Sequence, residues 1–285
     1  MRGEPQHEPT LEANSSLDGP VAQRTEKSDP SPNERYEIAH PAVPEALDVV
    51  TVLHLSDLHI TRNRFGGRLD EALLGVLEST PVDLIALTGD YMSRPGDEPM
   101  AMEALWQMAR AWRARLGAFG VFGNHDTAKF RRVAQERLKA VRWLEGGAGV
   151  GGSPLRILGS SDPEDLLGAS LAEDGTSPFT VTLVHQPSAV YAASSLGLPL
   201  VLAGHTHGGQ VRLSKKKLLH TAGDLPGDRA SGILRLGSTL CCVSRGLGEM
   251  LLPVRINCPR QAPLYTLRRG ELSGGGQGLQ RVLAW

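Results

Sequence analysis

The chain has 285 residues and a formal net charge of −1, since 30 Lys and Arg residues stand against 31 Asp and Glu residues. This balance excludes a histone-like protein, and the hydrophobic content of 40% excludes a wholly disordered chain. The charge is unevenly divided, because residues 1–48 carry ten acids and four bases whereas residues 49–285 carry 21 acids and 26 bases.

The first 47 residues are rich in Pro, Ser and acidic residues, and their apolar residues follow neither a helical nor a strand period. Such a segment buries too little apolar surface to offset the entropy of ordering it, so we predict a disordered acidic leader over residues 1–47. It lacks the apolar run of a secretory signal, and we predict no transmembrane helix elsewhere. On these grounds we expect a protein of the cytoplasm or of the periphery of the inner membrane.

The predicted elements begin after residue 47. In the first half we predict strands over residues 49–55, 82–87 and 118–122, and helices over residues 69–77, 99–116 and 128–144. Further strands are predicted over residues 155–158, 179–184 and 200–203, with a helix near 189–196, and then over 233–236, 239–243, 254–256 and 264–267. Strands that alternate with helices and then follow one another indicate an α/β domain of two mixed sheets over residues 48–270, with a Gly-rich tail over 271–285.

Every candidate metal ligand directly follows one of the apolar strand runs, where an open α/β sheet places its binding crevice. In chain order these motifs are Ser56-Asp57-Leu58-His59, Thr88-Gly89-Asp90, Gly123-Asn124-His125-Asp126, Val184-His185 and Gly204-His205-Thr206-His207. Residues two apart at a strand end point to the same side, so Asp57 with His59, and His205 with His207, can close on one cation. Each motif alone also fits a structural role, such as a helix cap, and only their recurrence favours a metal site.

Mixed oxygen and nitrogen ligands suit Mn, Fe or Zn, and the lack of Cys in these motifs argues against a closed structural zinc site. The motif Gly123-Asn124-His125-Asp126 is the most specific of the set. Its amide, imidazole and carboxylate offer in succession a metal contact, a proton donor and a partner that orients the imidazole.

The ordered set of motifs over residues 51–207 resembles the calcineurin-like metallophosphoesterase superfamily. The resemblance implies a four-layer α/β/β/α sandwich and two divalent metal ions, of which Mn is favoured over Fe or Zn. It implies that Asp57, His59 and His207 hold one ion, that Asn124, His185 and His205 hold the other, and that Asp90 bridges them. It also implies that His125 contacts the phosphate or protonates the leaving oxygen, with Asp126 as its orienting partner.

Later motifs narrow the resemblance to a bacterial envelope-associated branch that includes hydrolases of UDP-2,3-diacylglucosamine. They are Gly208-Gly209-Gln210-Val211, Ser244-Arg245-Gly246-Leu247-Gly248 and Pro253-Val254-Arg255-Ile256-Asn257-Cys258-Pro259. This branch implies hydrolysis of a phosphodiester or pyrophosphate bond in a phosphate-containing small molecule or lipid, with peripheral membrane contact. Arg62, Arg64 and Arg94 are candidate contacts to the substrate, and the alternative for all three is a solvated loop.

Two other functions stay open at this stage. One is a nuclease or cyclic-nucleotide phosphodiesterase of the same superfamily, although the acidic leader and the absence of an aromatic-rich stacking region argue against a nucleic-acid partner. The other is a non-catalytic scaffold with the same fold, which the complete ligand set disfavours. The sequence leaves the substrate, the metal and the oligomeric state open.

Overall fold

A computed structural model describes residues 22–24, 34–62, 71–161, 166, 179–214, 223–272 and 278–283. In chain order its strands are β1 (Ala22–Arg24), β2 (Arg35–His40), β3 (Thr51–Leu55), β4 (Leu84–Thr88), β5 (Ala118–Val121), β6 (Val141–Trp143), β7 (Gly146–Gly149), β8 (Leu155–Ser160), β9 (Phe179–Val184), β10 (Leu200–Ala203), β11 (Gly232–Leu236), β12 (Thr239–Val243), β13 (Leu264–Arg269) and β14 (Gln280–Leu283). The α-helices are α1 (Glu71–Ser79), α2 (Glu98–Ala111), α3 (Ala128–Arg137) and α4 (Val190–Ser195). Among the described residues, no helix is both long enough and apolar enough to cross a membrane.

The strands form two mixed sheets, with the orders β1-β2-β13-β3-β4-β5-β6 and β14-β11-β12-β10-β9-β8-β7. Strands β3 to β6 run parallel to one another, as do β8, β9, β10 and β12. Antiparallel neighbours flank each parallel group, with β13 beside β3 and β11 beside β12. This architecture confirms the predicted α/β class, and it brings the carboxyl ends of the parallel strands to one edge of each sheet.

Alternating side chains on β4 show how the sheets and helices pack. Leu84 and Ala86 belong to a buried cluster shared with residues of β9 and β10, whereas Ile85 and Leu87 belong to a cluster shared with α1, α2 and α3. A third cluster joins α4 to the other side of β10 and β12. Because successive strand residues point to opposite faces, the central strands β4, β9 and β10 are buried on both faces and are mostly apolar along their length.

The predicted boundaries at both ends of the domain are wrong. Strand β2 lies within the predicted leader, pairs in parallel with β13 and buries Tyr36 and Ile38. Strand β14 lies within the predicted tail and pairs antiparallel with β11. A short strand is invisible in the average composition of a long polar segment, because only a few alternating side chains need to be apolar. The rest of residues 1–47 lies outside the described residues, apart from β1 and residues 34 and 41–47.

Two predicted elements differ from the structure in type, over all or part of their length. The helix predicted over residues 128–144 ends at Arg137, and residues 141–143 form β6 beside β5. Trp143 of this strand stacks on Phe122 with the ring centroids 4.4 Å apart, which favours the sheet over a longer helix. The strand predicted over residues 254–256 is an irregular loop that meets Val211 in one isolated bridge at Ile256.

Candidate metal centre and active site

The five polar motifs meet where strands β3, β4, β5, β9 and β10 end. Backbone hydrogen bonds join their loops, since Asp57 N–H donates to the Gly89 carbonyl and His59 N–H to the Asp90 carbonyl, each at 3.0 Å. Gly204 N–H donates to the His185 carbonyl at 3.1 Å. The loops therefore hold one another in register, independently of any ligand.

The first cluster of ligand atoms consists of Asp57, His59 and His207, which are all buried. His207 Nε2 lies 3.0 Å from His59 Nε2 and 3.6 Å from Asp57 Oδ1. Two imidazole nitrogens at this distance require a proton or a cation between them, because their lone pairs otherwise repel. Two imidazoles and one carboxylate suit a divalent transition metal.

The second cluster consists of Asp90, His185 and His205. His185 Nε2 lies 3.1 Å from Asp90 Oδ2 and 3.2 Å from His205 Nδ1. The same Asp90 oxygen lies 3.4 Å from Nε2 of His59, a member of the first cluster. Asp90 therefore lies between the two groups, in the position of a shared ligand, and the pair of clusters suits two divalent ions.

Six of the seven predicted metal ligands are thus brought together by the structure. The seventh, Asn124, is exposed in the loop that follows β5. Its neighbours tie it to the centre, since Gly123 N–H donates to Asp126 and His125 N–H donates to Asp90 Oδ1, each at 2.8 Å.

The backbone of the ligand loops adopts an uncommon conformation. Asp57, His59, Asp90, His205 and His207 all have positive φ, between 43° and 70°. For residues other than Gly this left-handed conformation costs on the order of 1–3 kcal/mol each, and it persists only where the surroundings enforce it. Regular strand geometry alone does not direct five side chains toward one point. The left-handed backbone at these residues turns the side chains toward the centre.

Two glycines allow the loops to close around Asp57. A Cβ atom on Gly204 would overlap Ser56 Oγ and Asp57 Oδ2, and one on Gly246 would lie 2.6 Å from Asp57 Cβ. Gly204 and Gly246 are separated from Asp57 in sequence, so the sequence gives no sign of this contact. The absent side chains let three loops approach the ligand.

The buried carboxylates and imidazoles of the site shift one another's pKa values. Burial alone would raise the pKa of Asp90, but the imidazoles of His185 and His59 hold it well below its usual value. Burial lowers the pKa of His207 to about 3. Burial would also lower the pKa of His185, but the carboxylates of Asp90 and Asp57 raise it to about 9. A cation that binds His185 at neutral pH must therefore displace a proton.

His125 and Asp126 have different partners from those predicted. His125 Nδ1 lies 2.8 Å from the Ser93 carbonyl, so Nδ1 carries a proton and donates it to that carbonyl, which leaves Nε2 without this partner.

Asp126 does not orient His125. Its carboxylate accepts backbone N–H groups from Asp90 at 2.9 Å, from Tyr91 at 2.9 Å and from Gly123 at 2.8 Å. Burial and the nearby Asp90 carboxylate raise the pKa of Asp126 to about 7. It therefore joins the loops after β4 and β5.

Arg131 is a positioning residue that the sequence did not single out. Its Nε donates to the Asp126 carbonyl at 2.9 Å and its Nη2 to the Gly123 carbonyl at 2.8 Å. Its guanidinium carbon lies 5.6 Å from the centroid of the Phe122 ring. An Arg one turn into helix α3 thus closes the loop that carries His125.

A chain of buried hydroxyl groups supports Asp57 and was also missed. Ser56 Oγ donates to Asp57 Oδ2 at 2.5 Å and accepts from Thr88 Oγ1 at 2.8 Å. Thr88 Oγ1 in turn lies 2.8 Å from Nε2 of His54, whose pKa burial lowers to about 3. The only available signal was that Ser56 and Thr88 precede predicted ligands in the sequence.

A cleft of about 680 Å³ opens beside the first cluster. His59 and His125 line it, together with Arg94. The Arg94 side chain is 68% exposed, with Nε 3.7 Å from Asp97 Oδ2, and is therefore accessible to a ligand in the cleft. Arg62 is exposed and is the last residue described after β3, and Arg64 lies outside the described residues.

Comparison with known proteins identifies the family. The sequence profile described as calcineurin-like phosphoesterase matches residues 50–209, which include all seven predicted ligands. The chain is 28% identical to the uncharacterized metallophosphoesterase YkuE of Bacillus subtilis (strain 168) over 249 residues, or 82% of this chain and 84% of that protein.

Two further relatives are similarly distant. The uncharacterized metallophosphoesterase YkoQ of Bacillus subtilis (strain 168) is 28% identical over 73% of this chain and 79% of its own length. The phosphodiesterase YaeI of Escherichia coli (strain K12) is 27% identical over 76% of this chain and 81% of its own length. These alignments extend over most of each relative.

Proposed function

Because the chain belongs to the calcineurin-like phosphoesterase family, we propose that this metal-dependent phosphoric ester hydrolase cleaves a phosphodiester or pyrophosphate bond at a dinuclear centre. We further propose a lipid or nucleotide-sugar substrate, of the type of UDP-2,3-diacylglucosamine, held at a membrane surface. The observation that carries the proposal is the pair of buried His and Asp clusters on either side of Asp90. The name of the Escherichia coli relative, a phosphodiesterase, supports a diester over a monoester.

Two divalent ions bound by these clusters would neutralise phosphate charge and activate water for in-line attack at phosphorus. The residues of the chain do the positioning. Asp57, His59 and His207 form one side of the centre, and His185 and His205 form the other. Because all but His205 are buried and every ligand loop is hydrogen-bonded, little reorganisation is needed when the substrate enters.

His125 is placed to serve the leaving group. It lines the cleft, its ring centroid lies 4.9 Å from that of His59, and its Nδ1–H is directed to the Ser93 carbonyl. The other nitrogen, Nε2, is therefore the atom that donates a proton to the leaving oxygen when the ring is protonated.

Hydrolysis of bis-p-nitrophenyl phosphate in the presence of Mn²⁺ tests the reaction class. We expect turnover by the wild type, loss of turnover after chelation, and a fall of about 100- to 10,000-fold in kcat for His125→Ala, the range for a general acid. Lys129→Ala, an exposed neighbour on helix α3, is the control and should retain full activity. Failure of the metal-loaded wild type to cleave the diester would sink the proposal, as would full activity of His125→Ala.

A substrate panel separates the finer alternatives. UDP-2,3-diacylglucosamine, a cyclic nucleotide, single-stranded DNA and a phosphomonoester should be compared at one Mn²⁺ concentration. The proposal expects the largest kcat/KM for the acylated nucleotide sugar. A preference for the cyclic nucleotide or DNA would replace it with the second enzymatic alternative, and binding without turnover of any ester would favour a scaffold.

A further inference from the structure

Large exposed hydrophobic side chains are concentrated on one loop. In the described part of the chain, Leu251 is 93% exposed, Leu252 67%, Ile256 48% and Val254 46%. These four lie within six consecutive residues, whereas the other exposed large hydrophobic residues are scattered. We call residues 250–256 the apolar rim. Isolated exposed apolar residues need no explanation, but a contiguous group of them marks an interaction surface.

The polarity of this loop is the reverse of that of an ordinary surface loop. Glu249 and Arg255, the charged residues at its two ends, have side chains only 6% and 7% exposed, with Arg255 Nε 3.3 Å from Glu249 Oε1. Arg255 Nη2 also donates to the Arg245 carbonyl at 2.8 Å. Charged side chains are thus turned inward and apolar ones outward. Burying these charges opposes folding unless they are paired, so the arrangement is a structural feature of the loop and not a frayed end.

The apolar rim is also held in one conformation. Gln210 Nε2 donates to the carbonyls of Met250 at 3.0 Å and Leu252 at 2.8 Å, and Gln210 Oε1 accepts Met250 N–H at 2.8 Å. Backbone bonds from Ile256 N–H to Gln210 and from Arg212 N–H to Ile256 secure the other end. The leucines therefore project from a rigid base, and no hydrophobic collapse of the loop hides them.

The position of the apolar rim links it to the metal centre. Leu251 and Leu252 line the same cleft as His59 and His125, and the exposed Arg94 lies in that cleft as well. A partner that covers the leucines thus comes close to the catalytic side chains and to the exposed guanidinium of Arg94. An apolar layer with anionic phosphates at its edge has the matching chemistry, with hydrocarbon against the leucines and phosphate against the guanidinium.

Four side chains on one loop expose a few hundred Å², which is less than the roughly 800 Å² per partner of a stable protein interface. The same area is sufficient for shallow insertion into a bilayer, where no complementary surface has to be built. We propose that the apolar rim inserts into a lipid bilayer and thereby presents the metal cleft to phosphoesters of membrane lipids. This inference rests on the proposed function, because it assigns the docking surface of the same site.

Co-sedimentation of the full chain with vesicles tests the inference. Vesicles of phosphatidylcholine, with and without added phosphatidylglycerol, should bind the wild type, more tightly when the anionic lipid is present. Leu251→Ser combined with Leu252→Ser should weaken the partition coefficient at least about 10-fold, since both side chains lose their transfer to hydrocarbon. Tyr191→Ser removes a 49% exposed aromatic side chain on α4, remote in sequence from the rim, and should leave binding unchanged.

The double variant removes only exposed contacts, so its melting temperature should match that of the wild type, which checks folding. Absence of vesicle binding by the wild type would overturn the inference, as would equal binding by the double variant. A wild-type dimer in gel filtration that the double variant abolishes would also overturn it, in favour of a second copy. Hydrolysis of soluble bis-p-nitrophenyl phosphate by the wild type is measured separately, so failure of docking and failure of the proposed reaction are distinguished.

Discussion

Replacement of Ser56 by alanine isolates the contribution of the hydroxyl chain to metal binding. In the wild type, Ser56 Oγ donates to the ligand Asp57 at 2.5 Å and accepts from Thr88 at 2.8 Å. Alanine removes both bonds and leaves the buried Thr88 hydroxyl without this acceptor. Asp57 keeps the His205 backbone N–H at 3.0–3.1 Å, so its carboxylate stays partly satisfied and the variant should fold.

The magnitude follows from the two bonds. A hydrogen bond to a charged group contributes about 1.5–3 kcal/mol and a neutral one about 0.5–1.5 kcal/mol, so the variant should lose roughly 2–4.5 kcal/mol of stability. Loss of an outer-shell partner of a metal ligand typically lowers metal affinity by about 10- to 100-fold. That range corresponds to about 1.4–2.8 kcal/mol of binding free energy.

Two further variants calibrate the effect. Thr88→Val breaks the bonds of Thr88 to Ser56 and to His54 but leaves the bond from Ser56 to Asp57, so it should cost less than about threefold in Mn²⁺ affinity. Ser79→Ala removes an exposed hydroxyl that bonds only within helix α1 and should change nothing. Titration of the metal-free proteins with Mn²⁺ against a fluorescent chelator measures affinity, and urea unfolding measures stability. Equal Mn²⁺ affinity for Ser56→Ala and Ser79→Ala in folded protein would refute the reasoning.

Three other predictions concern the same centre. The pKa of His185 is raised to about 9, and Mn²⁺ binds only the neutral ring. Mn²⁺ affinity should therefore increase by up to about tenfold for each unit by which the pH is raised toward 9. An affinity that does not change with pH in the same chelator titration would contradict this. Arg131→Met should lower kcat about tenfold and stability by about 2–4 kcal/mol through loss of two bonds, whereas Arg132→Met, exposed beside it, should not; an unchanged kcat would exclude a positioning role. Gly204→Ala should lower the free energy of unfolding by about 1–3 kcal/mol, because the new Cβ atom overlaps the side chains of Ser56 and Asp57. Gly75→Ala, where no atom lies within 4 Å of the new Cβ, should raise that free energy slightly. Equal urea midpoints for Gly204→Ala and the wild type would contradict the predicted overlap.

Six candidate ligands that the structure brings together could be picked out in the sequence for a local reason. Each ligand directly follows an apolar strand, as with Asp57 after β3 and Asp90 after β4, so an abrupt change from apolar to polar residues marks it. Parallel strands then bring those ends together whatever the loop conformations are. Residue type and spacing made these side chains candidates, because metal coordination restricts the side chains that can serve, and the family resemblance assigned them to the two ions.

Supporting residues had no such signal. Asp126 was predicted to orient His125, its neighbour in sequence, but its carboxylate bonds to the amides of Asp90 and Tyr91, more than thirty residues away. The strand within the predicted leader was missed for a related reason, since β2 is stabilised by pairing with β13 near the other end of the chain. The role of Asp126 and the formation of β2 both depend on residues distant in sequence. Local composition therefore does not reveal them.

The sequence alone determined the α/β class, the two mixed sheets and the candidate ligands, because burial and metal chemistry both restrict residue type along the chain. Only the tertiary structure decided that the ligand loops adopt left-handed turns and that glycines let them close on Asp57. It also decided that Leu251 and its neighbours remain exposed beside the cleft. An apolar residue in a sequence predicts burial on average, and only its packing neighbours show whether it is buried in this protein or left for a partner.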